Sequence, residues 1–127
     1  MARRKNAFSP EDNATKPSQT YTVDDFESAM TLFLRDGKIR NISPYTLGLS
    51  QQELGKFRHI LDKQHIGTDP SKITEKIVKE NVILYLMDDG QKETPINCVL
   101  RAVRAFFNYL VREGYLAQSP MLEAFLH

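Results

Sequence analysis

The chain has 127 residues, of which 17 are Lys or Arg and 16 are Asp or Glu, so its formal net charge is only +1. This length predicts one small domain with a single modest core, and no run of the sequence approaches the roughly 20 apolar residues that a bilayer-spanning helix needs. The basic N-terminus lacks the apolar segment of a secretory signal, and the single cysteine, Cys98, excludes an internal disulfide. We therefore expect a cytoplasmic protein without a membrane anchor.

Residues 1–20 and the first helix differ sharply in composition. Residues 1–20 are rich in Ser, Pro, Asn, Thr and Lys, which predicts a disordered polar tail, whereas residues 21–127 carry helical patterns. The first helix is expected to begin at Thr22, whose hydroxyl would cap it, and to end at Asp36-Gly37. Its apolar stripe consists of Val23, Phe26, Met30, Phe33 and Leu34.

A second helix is expected from the N-cap Ser43, with Pro44 in its first position, to about Lys63. Its inward side carries Leu47, Leu54, Phe57, Ile60 and Leu61. Its outward side carries Tyr45, Gln52, Lys56, His59 and Lys63. Gly48 and Gly55 share one flank, although each costs a helix about 1 kcal/mol relative to alanine. They indicate a close approach to the backbone, either by a neighbouring helix or by a DNA sugar-phosphate strand.

The stretch that follows is less regular. Residues 65–71 contain three helix breakers and predict a loop. A buried third helix is expected near 79–88, after a turn, and Asp88-Asp89-Gly90 would end it. Its apolar residues are Ile73, Ile77, Val78, Val82, Ile83, Leu84 and Leu86. A strand is the alternative for this β-branched run, but the chain offers no partner strand.

The fourth helix has the clearest pattern. Thr94 is expected as its N-cap with Pro95 in the first position, and Gly114 as a left-handed C-cap followed by Tyr115 in a Schellman-type motif. Its apolar stripe consists of Ile96, Val99, Leu100, Val103, Phe106, Phe107 and Leu110. The opposite face carries Asn97, Arg101, Arg104, Asn108 and Arg112 and no acid. A buried scaffold helix would not need such a face. A short fifth helix is expected after Pro120.

Charge is distributed unevenly between these segments. Residues 37–65 carry five Lys or Arg against two acids, and residues 95–112 carry three Arg and no acid, a net of +3 each. Residues 21–36 and 66–94 carry net charges of −3 and −2. Such an arrangement attracts a polyanion to one side of a near-neutral protein. Ordinary solvated helix faces are the alternative interpretation.

No pattern typical of catalysis or of cofactor binding is present. The three histidines lack partners at the spacing of metal ligands, and the six glycines are scattered rather than grouped in a phosphate-binding loop. Ser43, Thr46 and Thr94 are interpreted as helix caps rather than nucleophiles. We expect no catalytic residue, no metal and no cofactor.

Two motifs, in this order and spacing, give the chain a resemblance to a known family. The first motif resembles the last long helix of the core-binding domain of tyrosine recombinases (phage integrases). It consists of Thr94, Leu-Arg-x-x-Arg, Phe-Phe-x-Tyr-Leu and Gly-Tyr-Leu, followed by Ser119-Pro120 where an Asn-Pro is typical of the family. Upstream, KIRNISPYT at 38–46 resembles the Ser-x-x-Thr start of that domain's second helix, although Ser50 stands where members commonly have tyrosine. The resemblance covers roughly residues 21–124.

The resemblance implies a fold and a binding surface. The fold would be an all-α, four- to five-helix orthogonal bundle (SAM-like) that forms a C-shaped clamp around DNA together with the catalytic domain. The second and fourth helices would face the major groove of the recombination core site. The contact candidates carried over by position are Lys38, Arg40, Tyr45, Thr46, Lys56, His59, Asn97, Arg101 and Arg104.

The resemblance also implies partners and excludes an activity. The partners would be double-stranded DNA, other recombinase protomers on that DNA, and the catalytic domain of the same parent protein. None of the five tyrosines matches the context of the strand-cleaving tyrosine, which lies in a separate C-terminal domain in this family. The chain is therefore expected to bind DNA for integration or recombination without cutting it, in a bacterial or phage-encoded system associated with the nucleoid.

Two other functions remain open. A stand-alone helical protein-interaction domain would have solubilising arginines, an exposed apolar patch and no salt-dependent DNA binding. A short regulator would occupy recombination sites without cleaving them, and it differs from the first interpretation only in whether the gene continues past His127.

Overall fold

The computed structural model describes residues 25–121, and these form an all-α bundle, which confirms the predicted fold class. The α-helices are α1 (Phe26–Ile39), α2 (Pro44–Lys63), α3 (Leu84–Asp88) and α4 (Glu93–Arg112). A 3-10 turn (Pro70–Lys72) follows α2, and a π-helix (Ile77–Ile83) leads directly into α3. The predicted tail at 1–20, the Thr22 cap and the fifth helix after Pro120 lie outside the described residues.

Four phenylalanines form the centre of the core where α1, α2 and α4 meet. Phe26, Phe57, Phe106 and Phe107 are almost completely buried. The ring centroid of Phe106 lies 5.1 Å from that of Phe26 and 5.3 Å from that of Phe107, in the tilted and edge-to-face arrangements that aromatic pairs prefer. Every residue of the predicted apolar stripe of α4 is buried, so α4 packs against both α1 and α2.

α1 begins and ends later than the sequence predicted. It begins at Phe26, because the carboxylate of Asp25 accepts a hydrogen bond from the Glu27 N–H at 3.0 Å and caps the helix. It continues through Gly37 to Ile39. Gly37 is buried in the helix interior, and a methyl group placed there would lie 2.5 Å from Leu47 Cδ2. This glycine therefore allows α2 to approach α1 and does not end the helix.

α2 has the predicted bounds. The Ser43 hydroxyl accepts a hydrogen bond from the Thr46 N–H at 3.2 Å, and Pro44 occupies the first turn. The neighbouring-helix interpretation of Gly48 and Gly55 is wrong. No described atom lies within 4 Å of a Cβ built at either glycine, so this flank of α2 is open.

The third helical segment begins earlier than predicted. Helical structure starts at residue 75, because the Thr74 hydroxyl accepts a hydrogen bond from the Ile77 N–H at 3.2 Å. In the π-helix the Leu84 N–H bonds to the carbonyl of Lys79, five residues back. The wider turn shifts the helical register, and Leu84, which was predicted to be buried, is exposed.

A pair of side-chain amides joins the π-helix to the end of α2. Gln64 Nε2 donates to the carbonyl oxygen of Asn81 at 2.8 Å, and Asn81 Nδ2 donates to Gln64 Oε1 at 2.9 Å. Both residues are partly buried, so these reciprocal bonds satisfy polar groups that would otherwise be costly. They fix the third segment against α2.

The two ends of α4 differ in how well they were predicted. The N-cap is Lys92 rather than Thr94, and it makes no side-chain capping bond. Thr94 and Pro95 lie in the first turn, where backbone N–H groups have no intrahelical partner. The C-terminal prediction is confirmed. Gly114 has a φ of 85°, and the Tyr115 N–H bonds to the Leu110 carbonyl at 2.8 Å in a Schellman motif.

Phe106→Ala is expected to destabilise the domain by about 3–5 kcal/mol, because it leaves a cavity between three helices. Asn108→Ala, an exposed change on the same helix, is the matched control and should stay within about 0.5 kcal/mol of the wild type. Urea denaturation followed by circular dichroism measures both. Equal denaturation midpoints would contradict the core assignment.

Gly55→Ala is expected to raise the free energy of unfolding by about 0.5–1 kcal/mol, because a helix gains from alanine and the new methyl group meets open space. Gly37→Ala is the comparison, since its methyl group forces the Leu47 side chain to move and should cancel this gain. Thermal denaturation measures the stability of both variants. An equal gain in stability for Gly37→Ala and Gly55→Ala would contradict the predicted difference.

Candidate nucleic-acid interface

α2 and α4 run antiparallel side by side, and an open cleft of about 380 Å³ lies in the seam between them. We call it the seam cleft. Its polar lining residues are Thr46, Ser50, Glu53, Cys98 and Arg101. Its apolar lining residues are Leu49, Ala102 and Ala105. The cleft thus combines hydroxyls, a carboxylate, a thiol and a guanidinium from two helices.

Glu53 is a buried acid in this cleft, with only 9% of its surface exposed. Its Oε2 accepts a hydrogen bond from Lys56 Nζ at 3.0 Å. Its Oε1 is buried and has no hydrogen-bond partner. A buried acceptor without a donor costs about 1–3 kcal/mol or more. Because Oε1 has almost no accessible surface, a donor from outside the chain would reach it only if the Glu53 side chain turned towards the cleft.

A second cavity continues the seam towards the start of α4. It has a volume of about 230 Å³, and its lining includes Lys56 and His59 from α2 and Pro95 and Val99 from α4. Both basic side chains are exposed. Lys56 and His59, on the outward side of α2, therefore lie on the same side of the molecule as the seam cleft.

A third cavity of about 330 Å³ lies at the opposite end of the seam, where α1 joins α2 and α4. Thr46 and Ser50 line both this cavity and the seam cleft, so the two adjoin. Asp36 Oδ2 lies 2.9 Å from Arg112 Nη2 and 3.6 Å from Arg40 Nη1. One carboxylate thus holds two guanidinium groups at this end of the interface.

The structure places the sequence-predicted contact residues in three groups. Along the seam lie Arg40, Thr46, Lys56, His59 and Arg101. Asn97 lines a different cavity, which α4 forms with Ile83 and Met87. Lys38, Tyr45 and Arg104 line none of these cavities; the first two are exposed, and Arg104 is partly buried.

The cations of the seam differ in how they are paired. Lys56 bonds to Glu53 and Arg40 pairs with Asp36, whereas Arg101 makes no hydrogen bond or ion pair with any residue in the range 25–121. Arg101 is also exposed. Its donors are therefore available to a ligand without the loss of an existing bond.

Comparison with known proteins identifies relatives of this chain. The tyrosine recombinase XerC of Pseudomonas fluorescens is 31% identical over 81 residues, which cover 64% of this chain and 26% of that protein. The chain is a relative of the tyrosine recombinases. The tyrosine recombinase XerD of Staphylococcus aureus (strain N315) is 26% identical over 81 residues, covering 64% of this chain and 27% of that protein. The match thus spans about a quarter of each relative and confirms the resemblance at the level of the family.

Two other comparisons give no match. No family model matches the sequence of this recombinase relative, and no solved structure matches it.

Arg112 is a further cation of this interface that the sequence-based candidates did not include. Its guanidinium lies 5.4 Å from the centre of the Tyr109 ring and bonds to Asp36 and Glu113. Partial burial opposes the charged form of Arg112, but these two acids outweigh it and raise the pKa of the guanidinium. Burial raises the pKa of the Tyr109 phenol well above its usual value. Arg112 is 76 residues from Asp36 in sequence, so no local pattern could reveal the pair.

Neither a membrane-spanning helix nor a metal-binding cluster lies among the described residues of this recombinase relative. Within residues 25–121, no helix is long and apolar enough to cross a bilayer. In the same range, no three His, Cys, Asp or Glu side chains are grouped so that they could hold a metal ion.

Proposed function

We propose that this chain is the core-binding module of a tyrosine recombinase, comprising residues 21–127, and that it binds the recombination core site through α2 and α4. The observation that carries this proposal is the convergence of cationic and hydroxyl side chains from both helices along one seam, in a relative of the tyrosine recombinases. The bundle supports it as well, since the apolar stripe of α4 is buried and leaves its arginine-bearing face outward.

The residues of the interface divide into two roles on chemical grounds. Lys38, Arg40, Lys56 and Thr46 suit phosphate oxygens, which fix the orientation and register of a protein on the duplex. Arg101 and Asn97 suit base edges in the major groove, because a guanidinium pairs with guanine and an amide with adenine. Tyr45, His59 and Arg104 complete the proposed contact surface.

The open flank of α2 fits the same arrangement. Gly48 and Gly55 leave a strip of backbone that no described side chain covers, and both lie beside the outward residues of α2. A sugar-phosphate strand can approach such a strip more closely than it can approach a helix surface bearing side chains. The glycines are therefore interpreted as part of the DNA surface.

The proposal assigns DNA cleavage to a different domain. The matched segment corresponds to about a quarter of each relative, and the chain shows no pattern typical of the cleaving tyrosine. We propose that a catalytic domain of the same parent protein completes the clamp and that further recombinase protomers join it on the DNA. This assembly would work on DNA in the cytoplasm.

A protein-interaction domain is the second candidate, because large apolar side chains are exposed. Ile39 is 82% exposed at the end of α1, and Met87 is 56% exposed on α3. Leu49, at the seam cleft, is 43% exposed. This candidate predicts binding that is insensitive to salt. The non-cleaving regulator would bind DNA through the same surface.

The first test is the salt dependence of DNA binding, measured by fluorescence anisotropy with a labelled duplex of mixed sequence. About five phosphate contacts predict a slope of roughly −4 to −5 for log K against log salt. Arg101→Ala should weaken binding at least about tenfold, since a charge-assisted bond contributes about 1.5–3 kcal/mol. A slope near zero would refute the proposed function.

The matched control for Arg101→Ala is Arg35→Ala. Arg35 is exposed on α1, on the side opposite the buried residues Phe26 and Met30, and it makes no ion pair with a described residue. The Arg35→Ala substitution removes the same charge from a different face. Because salt screens charges at that distance, the DNA affinity should change less than about twofold. Equal losses of DNA affinity in the two variants would show that binding depends on net charge and not on the position of Arg101.

Asp36→Asn is expected to increase DNA affinity about two- to fivefold at low salt, because it releases Arg40 and Arg112 for phosphate contacts at a cost comparable to an exposed ion pair. The free energy of unfolding should fall by less than about 1 kcal/mol per pair. Glu75→Gln, which removes an exposed acid without releasing a cation, is the control. Affinity that rises equally in both variants would show that Asp36 does not restrain the two arginines.

A further inference from the structure

Glu53 is unusual for a residue at a proposed DNA surface, because it is an acid and it is buried. The cations along the seam attract phosphate, whereas a carboxylate repels it. Oε2 is bonded to Lys56, but Oε1 has no partner although both oxygens belong to a side chain that lines the seam cleft. A ligand that satisfies Oε1 must be a hydrogen-bond donor.

The other side of the seam cleft offers the opposite chemistry. Arg101 contributes up to five N–H donors that no described residue uses, so it requires an acceptor. A single ligand that satisfies both residues must present acceptors and a donor side by side. A phosphate presents only acceptors, so it would satisfy Arg101 and leave Glu53 opposed to a negative charge.

The major-groove edge of a G·C base pair has this combination. Guanine presents the acceptors O6 and N7, and the paired cytosine presents the amino group N4 as a donor. Guanidinium groups pair with the two guanine acceptors, and carboxylates accept from the cytosine amino group. An A·T pair also carries an amino group, but its N7 and O4 acceptors lie on either side of that group and not together.

We propose that Glu53 determines base specificity: its side chain turns towards the cleft when DNA binds, so that Oε1 accepts a hydrogen bond from the amino group of a cytosine while Arg101 donates to the paired guanine. This inference rests on the proposed function and specifies which base pair the seam cleft selects. Lys56 is a positioning residue here, since its 3.0 Å bond to Oε2 holds the carboxylate at the cleft wall. Oε1 is the oxygen that this bond leaves without a partner.

The test is a selection of bound duplexes from a library with randomised sequence, carried out with the wild type, Glu53→Gln and Glu75→Gln. The wild type and Glu75→Gln should enrich one motif containing a G·C position with at least about tenfold preference. Glu53→Gln should bind mixed-sequence DNA somewhat more tightly than the wild type at low salt, because it releases Lys56, and it should lose that preference to within about threefold. Circular dichroism confirms that each variant is folded.

A second measurement uses only the wild type and therefore does not depend on how the variant folds. In the selected duplex, the cytosine at that position is replaced by 2-pyrimidinone, which lacks the amino group. Affinity should fall at least about fivefold, whereas the same replacement at another cytosine of the duplex should change it less than about twofold.

The outcomes separate this inference from the proposed function. If the wild type binds no duplex at low salt, the proposed function fails and the inference fails with it. If the wild type enriches a motif and Glu53→Gln enriches the same one, the role of Glu53 is overturned while DNA binding stands. The assignment to cytosine is also overturned if Glu53→Gln loses a preference for an A·T pair and not for a G·C pair. It is overturned as well if the wild type binds the 2-pyrimidinone duplex as tightly as the unmodified duplex.

Discussion

The burial of one face of α4 is the constraint on which the rest of the structure depends. Its apolar stripe packs against α1 and α2 through Phe106 and Phe107, and a helix rigid at that interface has a fixed outward face. α2 is held in the same way by Phe57 and Leu61. The two polar faces therefore meet along a seam, although Thr46 and Arg101 are far apart in sequence.

Acids within the seam hold its cations in place in a chain of net charge +1. Asp36 holds Arg40 and Arg112, and Glu53 holds Lys56, so these cations have fixed positions before any ligand arrives. Preorganised cations lose less conformational freedom on binding than free ones. The acids also reduce the net attraction for phosphate, which favours contacts that combine donors and acceptors. Selectivity at such a surface depends on the positions of charges more than on their sum.

The sequence predicted those features that local patterns determine. The Ser43 cap, the buried stripe of α4 and the Gly114 cap follow from short-range spacing, and all three are confirmed. Features that depend on contacts distant in the chain were missed. Gly37 was assigned to a helix end because its packing partner Leu47 lies in another helix. The same holds for the candidate site, because the buried position of Glu53 follows from the packing of α2 on α4.

An NMR titration of the ¹⁵N-labelled domain with a short duplex, at low and at higher salt, tests the central claim most directly. Binding along the seam predicts chemical-shift changes confined to residues 38–63 and 94–108, and these changes should fade as salt increases. The amides of residues 26–37 in α1 serve as an internal reference, since they lie outside both ranges. An absence of shifts at low salt, even with a large excess of duplex, would contradict the account and favour a protein-interaction domain.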